Sequence, residues 1–431
     1  MDKFIVRKFE EAAFVLNINT QKAIFFEGLI SFAVPEIFSK PNYELPESFV
    51  RNFPESDREF VLIDFKKVQN EVLNFKKNCS KNVNKIKTDE DSEPDESFYN
   101  LKEYALKQWL ITAVNIELTQ LCNNRCEWCY HTDFSEYGLK KEEVQLIANE
   151  FVKQGTIFTC ITGGEIFLRK DSLDILKVLH EKGFALDIKT NGLLLNEEII
   201  QFLSNMNIMD TQVSIYGISD SKNSLTGSDY NYSKVYKNIC KLIEKGVPTT
   251  LSVLVGKHNI DQIDDIHNKL SSIEGANIFY NPTIMSNTKT NNTIFRLSRK
   301  ELIEKLYPFL VKVNKFSRLT RKYRNCDQDE KICNAGINQV TIDAKGFVHP
   351  CIDWRLTFGN IKNSKLSDIL SSRKKILNKF KIYDIPKCNY CNIRDYCDSC
   401  VGLAIRENQD YREPSSHKCD LTHFYLMKGG D

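Results

Sequence analysis

The sequence of 431 residues predicts an α/β protein with a central parallel sheet, a small module before it and a cysteine-rich segment after it. Three observations support this fold class. From residue 114 onward, six short apolar runs alternate with amphipathic segments, as strands alternate with helices around a parallel sheet. A polar, acidic stretch precedes these runs, and eight of the fourteen cysteines lie beyond residue 325. These features divide the chain into three parts.

The first part, residues 1–80, is expected to be a winged-helix-like module. The runs "AAFVLNIN" (12–19) and "KAIFFEG" (22–28) predict two strands around a polar turn. One helix is expected near Leu29 to Phe38, and a second is expected to be capped by Asp64. The apolar residues of that second helix recur at helical spacing: Phe65, Val68, Val72 and Phe75.

A linker is expected at residues 81–100, because "TDEDSEPDES" contains six acids and no apolar residue. The sheet is then expected within 101–310. Its six apolar runs lie at 114–119, 157–162, 184–190, 211–217, 248–255 and 276–283. Repeated strand-helix units imply a parallel sheet that is either open and doubly wound or curled into a partial barrel. In both layouts the chemistry gathers at the C-terminal ends of the strands.

Composition and charge disfavour several kinds of partner. The chain carries 59 basic and 57 acidic residues, so its net charge gives no support to a nucleic-acid partner. The N-terminus lacks the apolar run of a signal peptide, and the most apolar early segment is broken by Glu27, Pro35 and Glu36. We therefore expect a cytoplasmic protein that does not enter the membrane.

Closely spaced thiols in a reducing compartment more often bind metal than form disulfides. Cys122, Cys126 and Cys129 have C-x3-C-x2-C spacing and follow the first strand directly. Three thiolates are one ligand short of a closed tetrahedral zinc site, so one coordination position stays free. Cys160 and Cys240 lie in apolar patterns and are expected to be core thiols.

The triplet, with Trp128 before its last cysteine, resembles the signature of the radical S-adenosylmethionine enzymes. The resemblance implies a partial (β/α)6 TIM-like barrel and a [4Fe-4S] cluster with one iron open to S-adenosylmethionine. It also gives a role to "TGGE" (162–165), which on its own could be an ordinary tight turn. In that family such a segment grips the amino group of the methionine moiety. The implied cofactor-binding residues are Trp128, Gly163, Gly164, Glu165, Thr190, Asn191 and Ser214.

The later cysteines resemble those of the SPASM domain, which houses two auxiliary [4Fe-4S] clusters, and we place this domain at residues 311–431. The resemblance implies one cluster on Cys326, Cys333, Cys351 and Cys400. It implies a second cluster on Cys388, Cys391, Cys397 and Cys419. The spacing between Cys397 and Cys400 is one residue shorter than is common, so the partition of ligands stays open. Structural zinc is the alternative for this segment.

The resemblance implies three clusters in all, an external electron donor such as flavodoxin or ferredoxin, and hydrogen abstraction by a 5′-deoxyadenosyl radical. "SIYG" (214–217) and "LTGS" (225–228) resemble the maturases of ribosomal peptides, so we expect a precursor peptide as substrate and a thioether cross-link as product. Residues 1–80 would bind its leader, or they could merely cap the barrel. Carbon-carbon cross-linking, epimerisation and sulfatase-type oxidation are alternatives, as is a non-catalytic metal-binding scaffold. No general base can be assigned; Tyr216 and Glu127 are only guesses.

Overall fold

The computed structural model describes most of the chain, namely residues 3–39, 47–51, 53–56, 58–81, 96–218, 226–227, 230–287, 292–317, 332–397 and 399–427. Cys326, most of the expected linker and parts of "LTGS" lie outside the described residues. Within these ranges, no helix combines the length and the apolarity that crossing a bilayer requires.

The described elements follow the order that the sequence predicts. The strands are β1 (Phe4–Lys8), β2 (Ala12–Asn17), β3 (Ala23–Glu27), β4 (Ala113–Thr119), β5 (Phe158–Gly163), β6 (Ala185–Thr190), β7 (Ile208–Ile215), β8 (Thr249–Leu254), β9 (Asn277–Asn281), β10 (Gln339–Ile342), β11 (Phe347–His349) and β12 (Gly359–Asn360). The helices before β10 are α1 (Val34–Ser39), α2 (Glu47–Val50), α3 (Arg58–Lys81), α4 (Glu96–Gln108), α5 (Lys141–Lys153), α6 (Ser172–Glu181), α7 (Glu197–Ser204), α8 (Tyr232–Glu244), α9 (Ile263–Ser271), α10 (Arg299–Glu301) and α11 (Tyr307–Lys312). The later helices are α12 (Leu366–Leu377), α13 (Pro386–Asn389), α14 (Val401–Asn408) and α15 (Ser416–Tyr425).

Strands β4 to β9 form the partial barrel, and each of the six predicted apolar runs is one of them. They pair in parallel and in sequence order. Crossovers between parallel strands are right-handed, so a sequential order places every connecting helix on the same face. That arrangement curls the sheet as in a barrel and excludes the doubly wound alternative.

The helices of the barrel form where apolar residues recur at helical spacing. In α5, Val144, Ile147, Ala148 and Phe151 are buried against the sheet, and Val152 is half-buried. In α8, the side chain of Asn231 caps the first turn by accepting a hydrogen bond from the backbone of Lys234. Both helices are followed by a glycine with positive φ, Gly155 and Gly246.

The C-terminal segment extends the barrel sheet, which the sequence did not reveal. Strand β10 pairs in parallel with β4, and β11 and β12 continue the sheet in antiparallel fashion. The described sheet therefore has nine strands. Because β4 leads into the cysteine triplet, this pairing brings the C-terminal segment beside the first cysteines.

The N-terminal module is a three-stranded antiparallel sheet with β2 in the middle. The predicted pair, β2 and β3, is confirmed, and β1 is an additional strand. The prediction for the second helix is wrong at its start: α3 begins at Arg58, and Asp64 lies inside it, paired with Lys67 at 3.0 Å. The winged-helix assignment stays a prediction.

The two faces of β2 are both covered. Ala13 and Val15 face α1 and α3, whereas Phe14 and Leu16 belong to a cluster with α4 and the beginnings of β5 and β6. Helix α4 starts at Glu96 and α3 ends at Lys81, so the described ends of the expected linker 81–100 are helical.

The module docks on the end of the barrel where the strands begin. The guanidinium of Arg7 donates hydrogen bonds to the carbonyls of Thr156, Lys182 and Gly183, at 3.0, 3.1 and 2.5 Å. The side chain of Gln21 donates to the carbonyl of Met209 at 2.6 Å. These carbonyls immediately precede or begin β5, β6 and β7. The module is therefore at the opposite end of the barrel from the cysteine triplet.

Candidate active site

A cavity of about 250 Å³ lies at the C-terminal ends of the barrel strands. All three cysteines of the triplet line it. Six of the seven predicted cofactor-binding residues line it too: Trp128, Gly163, Gly164, Thr190, Asn191 and Ser214. The structure thus brings together residues from four separate segments at the sheet edge where the fold class places chemistry.

Backbone hydrogen bonds fix the loop that carries the triplet, which we call the cysteine loop (residues 120–131). The N–H of Arg125 donates to the carbonyl of Thr226 at 2.7 Å, and the N–H of Cys129 donates to the carbonyl of Cys126 at 3.0 Å. The side chain of Asn287 donates to the carbonyl of Cys129 at 2.8 Å. The loop is therefore held on both sides by segments that follow β7 and β9.

The three cysteines are half-buried, and their thiols are close enough to influence one another's pKa. Burial raises the pKa of Cys126, and the neighbouring thiols Cys129 and Cys122 raise it further. Burial likewise raises the pKa of Cys129 to about 11. The hydroxyl of Tyr216 donates a hydrogen bond to Cys126, which lowers the pKa of that thiol. Tyr216, which the sequence offered only as a guess for a general base, is thus a direct neighbour of the triplet.

Gly163 and Gly164 are glycines because the cysteine loop passes directly against them. A Cβ on Gly163 would lie 2.2 Å from the carbonyl oxygen of Thr119, and one on Gly164 would lie 2.0 Å from that of Leu121. Gly163 also has a φ of +130°, which favours glycine. The glycines therefore permit a close approach between two segments of the chain itself.

Glu165 is the one predicted cofactor-binding residue that is not in the lining of this cavity. Its carboxylate is fully buried and accepts hydrogen bonds from the hydroxyl of Thr190, the N–H of Asn191 and the N–H of Phe167. Burial raises its pKa, and these three donors oppose that rise. Through these hydrogen bonds, Glu165 connects the end of β5 to the end of β6.

Asn191 and Trp128 form parts of the cavity wall. The side chain of Asn191 donates to Asn123 Oδ1 at 2.8 Å and so connects β6 to the cysteine loop. The indole of Trp128 stacks on His258 with ring centroids 4.6 Å apart and meets Phe295 edge-on at 5.8 Å. Burial lowers the pKa of His258 to about 4, so this stack is uncharged at neutral pH.

Lys189 also lines the cavity, and the sequence analysis missed it. It lies two positions after Asp187 on β6, so both side chains project to the same face of the strand. Burial raises the pKa of Asp187 to about 6, and Lys189 opposes that rise. The alternation of polar and apolar residues in "ALDIKT" was the signal that could have revealed a polar barrel interior.

Cys160 belongs to the same polar interior. Burial raises its pKa to about 12, and its charged neighbours are Lys189, Asp187 and Asp210. The prediction of a core thiol is therefore wrong for Cys160. It holds for Cys240, which packs against the main apolar core.

The C-terminal cysteines form two groups in the described part of the chain. Cys400 is influenced electrostatically by Cys351 and Cys333. Cys419 is influenced by Cys397, Cys388 and Cys391. These groups match the expected partition, apart from Cys326, which lies outside the described residues.

Several of these sulfurs accept backbone hydrogen bonds. Trp354 N–H donates to Cys351 at 3.3 Å, Leu403 N–H to Cys400 at 3.5 Å and Ser399 N–H to Cys397 at 3.3 Å. Hydrogen bonds of this kind tune iron-sulfur clusters. No three cysteine, histidine or carboxylate side chains within the described ranges converge where they could hold a single ion. Thiols in groups of this kind are the donor set that iron-sulfur clusters take.

Comparisons with known proteins agree with this site. The model of the radical SAM superfamily matches residues 116–270. The model of an iron-sulfur cluster-binding domain, SPASM, matches residues 333–400. The two matches include the cysteine triplet and every described C-terminal cysteine except Cys419.

Two relatives come from Bacillus subtilis (strain 168). The sporulation killing factor maturation protein SkfB is 23% identical over 274 residues, which cover 62% of this chain and 66% of SkfB. The antilisterial bacteriocin subtilosin biosynthesis protein AlbA is 24% identical over 314 residues, 69% of this chain and 68% of AlbA. The chain thus spans about two thirds of the length of SkfB and of AlbA.

Among solved structures, SuiB of Streptococcus suis bound to the precursor peptide SuiA shares the fold. It has a TM-score of 0.63 and 16% identity, and the match covers 96% of this chain and all of the other. Together, the two domain matches and the converging cysteines show that this chain is an enzyme of the radical S-adenosylmethionine superfamily with a SPASM iron-sulfur domain, similar to the maturation protein SkfB and the biosynthesis protein AlbA.

Proposed function

We propose that this enzyme modifies a ribosomally synthesised precursor peptide by joining a cysteine sulfur to a carbon of another residue. The observation that carries the proposal is the convergence of Cys122, Cys126 and Cys129 with Gly163, Gly164 and Asn191 on one cavity. When bound there, a [4Fe-4S] cluster and S-adenosylmethionine supply a 5′-deoxyadenosyl radical, which abstracts hydrogen from an unactivated carbon.

The side chains of this chain hold and shield that chemistry. The three thiols of the cysteine loop would ligate the first cluster and leave one iron open to the cofactor. Gly163, Gly164, Thr190, Asn191 and Ser214 offer backbone and side-chain polar groups for its methionine and ribose parts. The ring of Trp128 shields one wall from water.

Two auxiliary clusters complete the proposed set of three. The group with Cys333, Cys351 and Cys400 would hold one, with Cys326 as its fourth ligand. The group with Cys388, Cys391, Cys397 and Cys419 would hold the other. Their role in the proposal is to accept the electron that remains on the product, with flavodoxin or ferredoxin as the external donor for the first cluster.

The peptide substrate is supported by the relatives, since SkfB and AlbA are named as a maturation and a bacteriocin biosynthesis protein and SuiB was solved with its precursor peptide. The leader would bind the N-terminal module by adding a strand. In the described sheet β2 is central, so β1 and β3 are its outer strands and offer edges for such pairing.

The test is a mass measurement on a candidate precursor. A cysteine-containing small peptide encoded beside the gene is incubated anaerobically with reconstituted enzyme, S-adenosylmethionine and flavodoxin. A thioether removes one hydrogen from the carbon and one from the thiol, so we expect a product lighter by two hydrogens in which one thiol no longer alkylates. The Cys122→Ala variant is the negative control.

Other outcomes would contradict the proposal. An unchanged mass with inversion at one Cα would make the enzyme an epimerase. Loss of two hydrogens with every thiol still free would indicate a carbon-carbon bond. If the peptide is untouched while S-adenosylmethionine is consumed, the substrate class is wrong.

A further inference from the structure

A second, larger cavity lies between the barrel and the C-terminal domain and has a volume of about 1020 Å³. Its walls include Gln120, Tyr130 and His131 from the cysteine loop, and Asp353 and Trp354 from the segment after Cys351. Tyr130 also lines the first cavity, so the two cavities meet at this ring. A volume of this size is at the upper end of the range for ligand sites.

Three buried polar atoms at this second cavity have no hydrogen-bond partner among the described residues: Gln120 Oε1, His131 Nε2 and Asp353 Oδ1. Buried polar groups are almost always satisfied, so unpaired atoms gathered around one cavity indicate a ligand or water that completes them. Because they come from both walls, one occupant can bridge the barrel and the C-terminal domain.

All three atoms are hydrogen-bond acceptors. Gln120 Oε1 and Asp353 Oδ1 are oxygens of an amide and a carboxyl group. His131 also hydrogen-bonds to the backbone of Gly163. That bond uses the other ring nitrogen as the donor, which leaves Nε2 as an acceptor.

The neighbouring cations do not satisfy Asp353. The guanidinium of Arg406 donates to the carbonyls of Asp353, Ser286 and Ile352, and Arg355 is bound to the carboxylate of Glu117. Asp353 Oδ1 therefore receives no hydrogen bond from these two cations.

This inference rests on the proposed function. We propose that the second cavity binds the core of the substrate peptide through the main-chain amides of that peptide. An extended peptide offers N–H donors at regular intervals, which suits acceptors spread along a cleft. The apolar side chains of Trp354, Leu356 and Phe380 in the same walls give its side chains a place to pack. The peptide then passes between the cysteine loop and the group of Cys351 and Cys400.

The test compares the affinity of the Gln120→Met variant for one peptide with that of wild type. Methionine matches glutamine in length but has no strong acceptor. The probe is a peptide selected on the reconstituted wild-type enzyme from an mRNA-displayed library of random 20-residue peptides. We expect Gln120→Met to weaken its Kd roughly three- to tenfold, the effect of one lost hydrogen bond. Methylating one main-chain nitrogen of the peptide should give a similar loss on wild type and little on the variant.

A structural role for Gln120 would give a different result. Removing an unpaired buried acceptor should leave the unfolding temperature equal or higher, whereas removing a structural hydrogen bond would lower it. Gln262→Met, the same change at an exposed position of the barrel, is the control and should leave the Kd unchanged.

Equal affinity for wild type and Gln120→Met, with no effect of N-methylation, would overturn the assignment of this cavity and leave the peptide-modifying function standing. If no peptide can be selected, while small polyols bind the reconstituted enzyme, both the assignment of this cavity and the peptide-modifying function would be overturned.

Discussion

At the scale of single residues, the hydroxyl of Tyr216 is a side-chain donor to the cysteine triplet. It donates to Cys126, and its ring lies 5.8 Å from that of Trp128. Burial raises the pKa of the Tyr216 phenol well above its ordinary value, so the hydroxyl keeps its proton and remains a donor. A hydrogen bond to a ligand sulfur withdraws charge from it and raises the reduction potential of the cluster.

Tyr216→Phe should therefore lower the potential of the first cluster without removing it. The variant should keep the iron content of wild type, and the midpoint should move to a more negative value in a redox titration followed by electron paramagnetic resonance. Tyr280→Phe is the control, because the Tyr280 hydroxyl contacts His267, at 2.7 Å. An unchanged midpoint in Tyr216→Phe would show that this contact does not tune the cluster.

At the scale of elements, backbone hydrogen bonds hold the ends of β4 and β5 together. Gly164 N–H donates to the carbonyl of Thr119 at 2.7 Å, and Glu165 N–H donates to that of Leu121 at 2.8 Å. The close approach of these two segments positions the cysteine loop over the cavity. Any side chain at Gly163 would have to separate them.

Gly163→Ala should thus impair cluster binding as well as stability. We expect a loss of roughly 3 kcal/mol or more in the free energy of unfolding, because a severe clash adds to the cost of positive φ. Gly246→Ala is the matched control, since Gly246 also has positive φ but nothing within 4 Å of an added Cβ. It should cost only about 1 kcal/mol. Equal losses in denaturant titrations would contradict the packing argument.

The sequence predicted local elements better than distant contacts. The six barrel strands were evident because each is a short apolar run between polar turns, and the helices because their apolar residues recur along one face. The pairing of β10 with β4 was not evident, since 226 residues separate partners such as Ala113 and Gln339. Asp64 was misread because an acidic residue before an apolar pattern can cap a helix or lie within one.

Distant contacts also limited what the sequence could predict about the site. The cysteines, the glycines and Asn191 were found because they follow strand ends, which meet at one edge of any parallel sheet. Glu165 was also predicted from its position after β5, and its hydrogen bonds to the end of β6 are contacts that its own segment does not reveal. Lys189 was missed because a charged residue within a strand is informative only once the interior of the barrel is known to be polar.

At the scale of the whole molecule, the N-terminal module and the cavity lie at opposite ends of the barrel. A strand such as β5, with six residues, is about 20 Å long at the usual rise per residue. A leader bound to the module must therefore reach the cavity through a connecting segment at least as long as the barrel is tall.

Shortening that segment should abolish modification without weakening leader binding. An extended chain covers about 3.3 Å per residue, so spacers below about six residues cannot reach the cavity. Precursors with spacers from two to twenty residues would be compared by mass spectrometry and by fluorescence anisotropy of the leader. Efficient modification with the shortest spacers would show that the leader binds elsewhere.

The central claim, that the three thiols of the cysteine loop support radical chemistry, is tested most directly by the release of 5′-deoxyadenosine. Anaerobically reconstituted enzyme is mixed with dithionite and S-adenosylmethionine, and the products are separated by chromatography. We expect wild type to release 5′-deoxyadenosine. The variant with Cys122, Cys126 and Cys129 all changed to alanine should release none, yet keep the iron of its C-terminal clusters. Equal release by both proteins, or none by an iron-loaded wild type, would contradict the account.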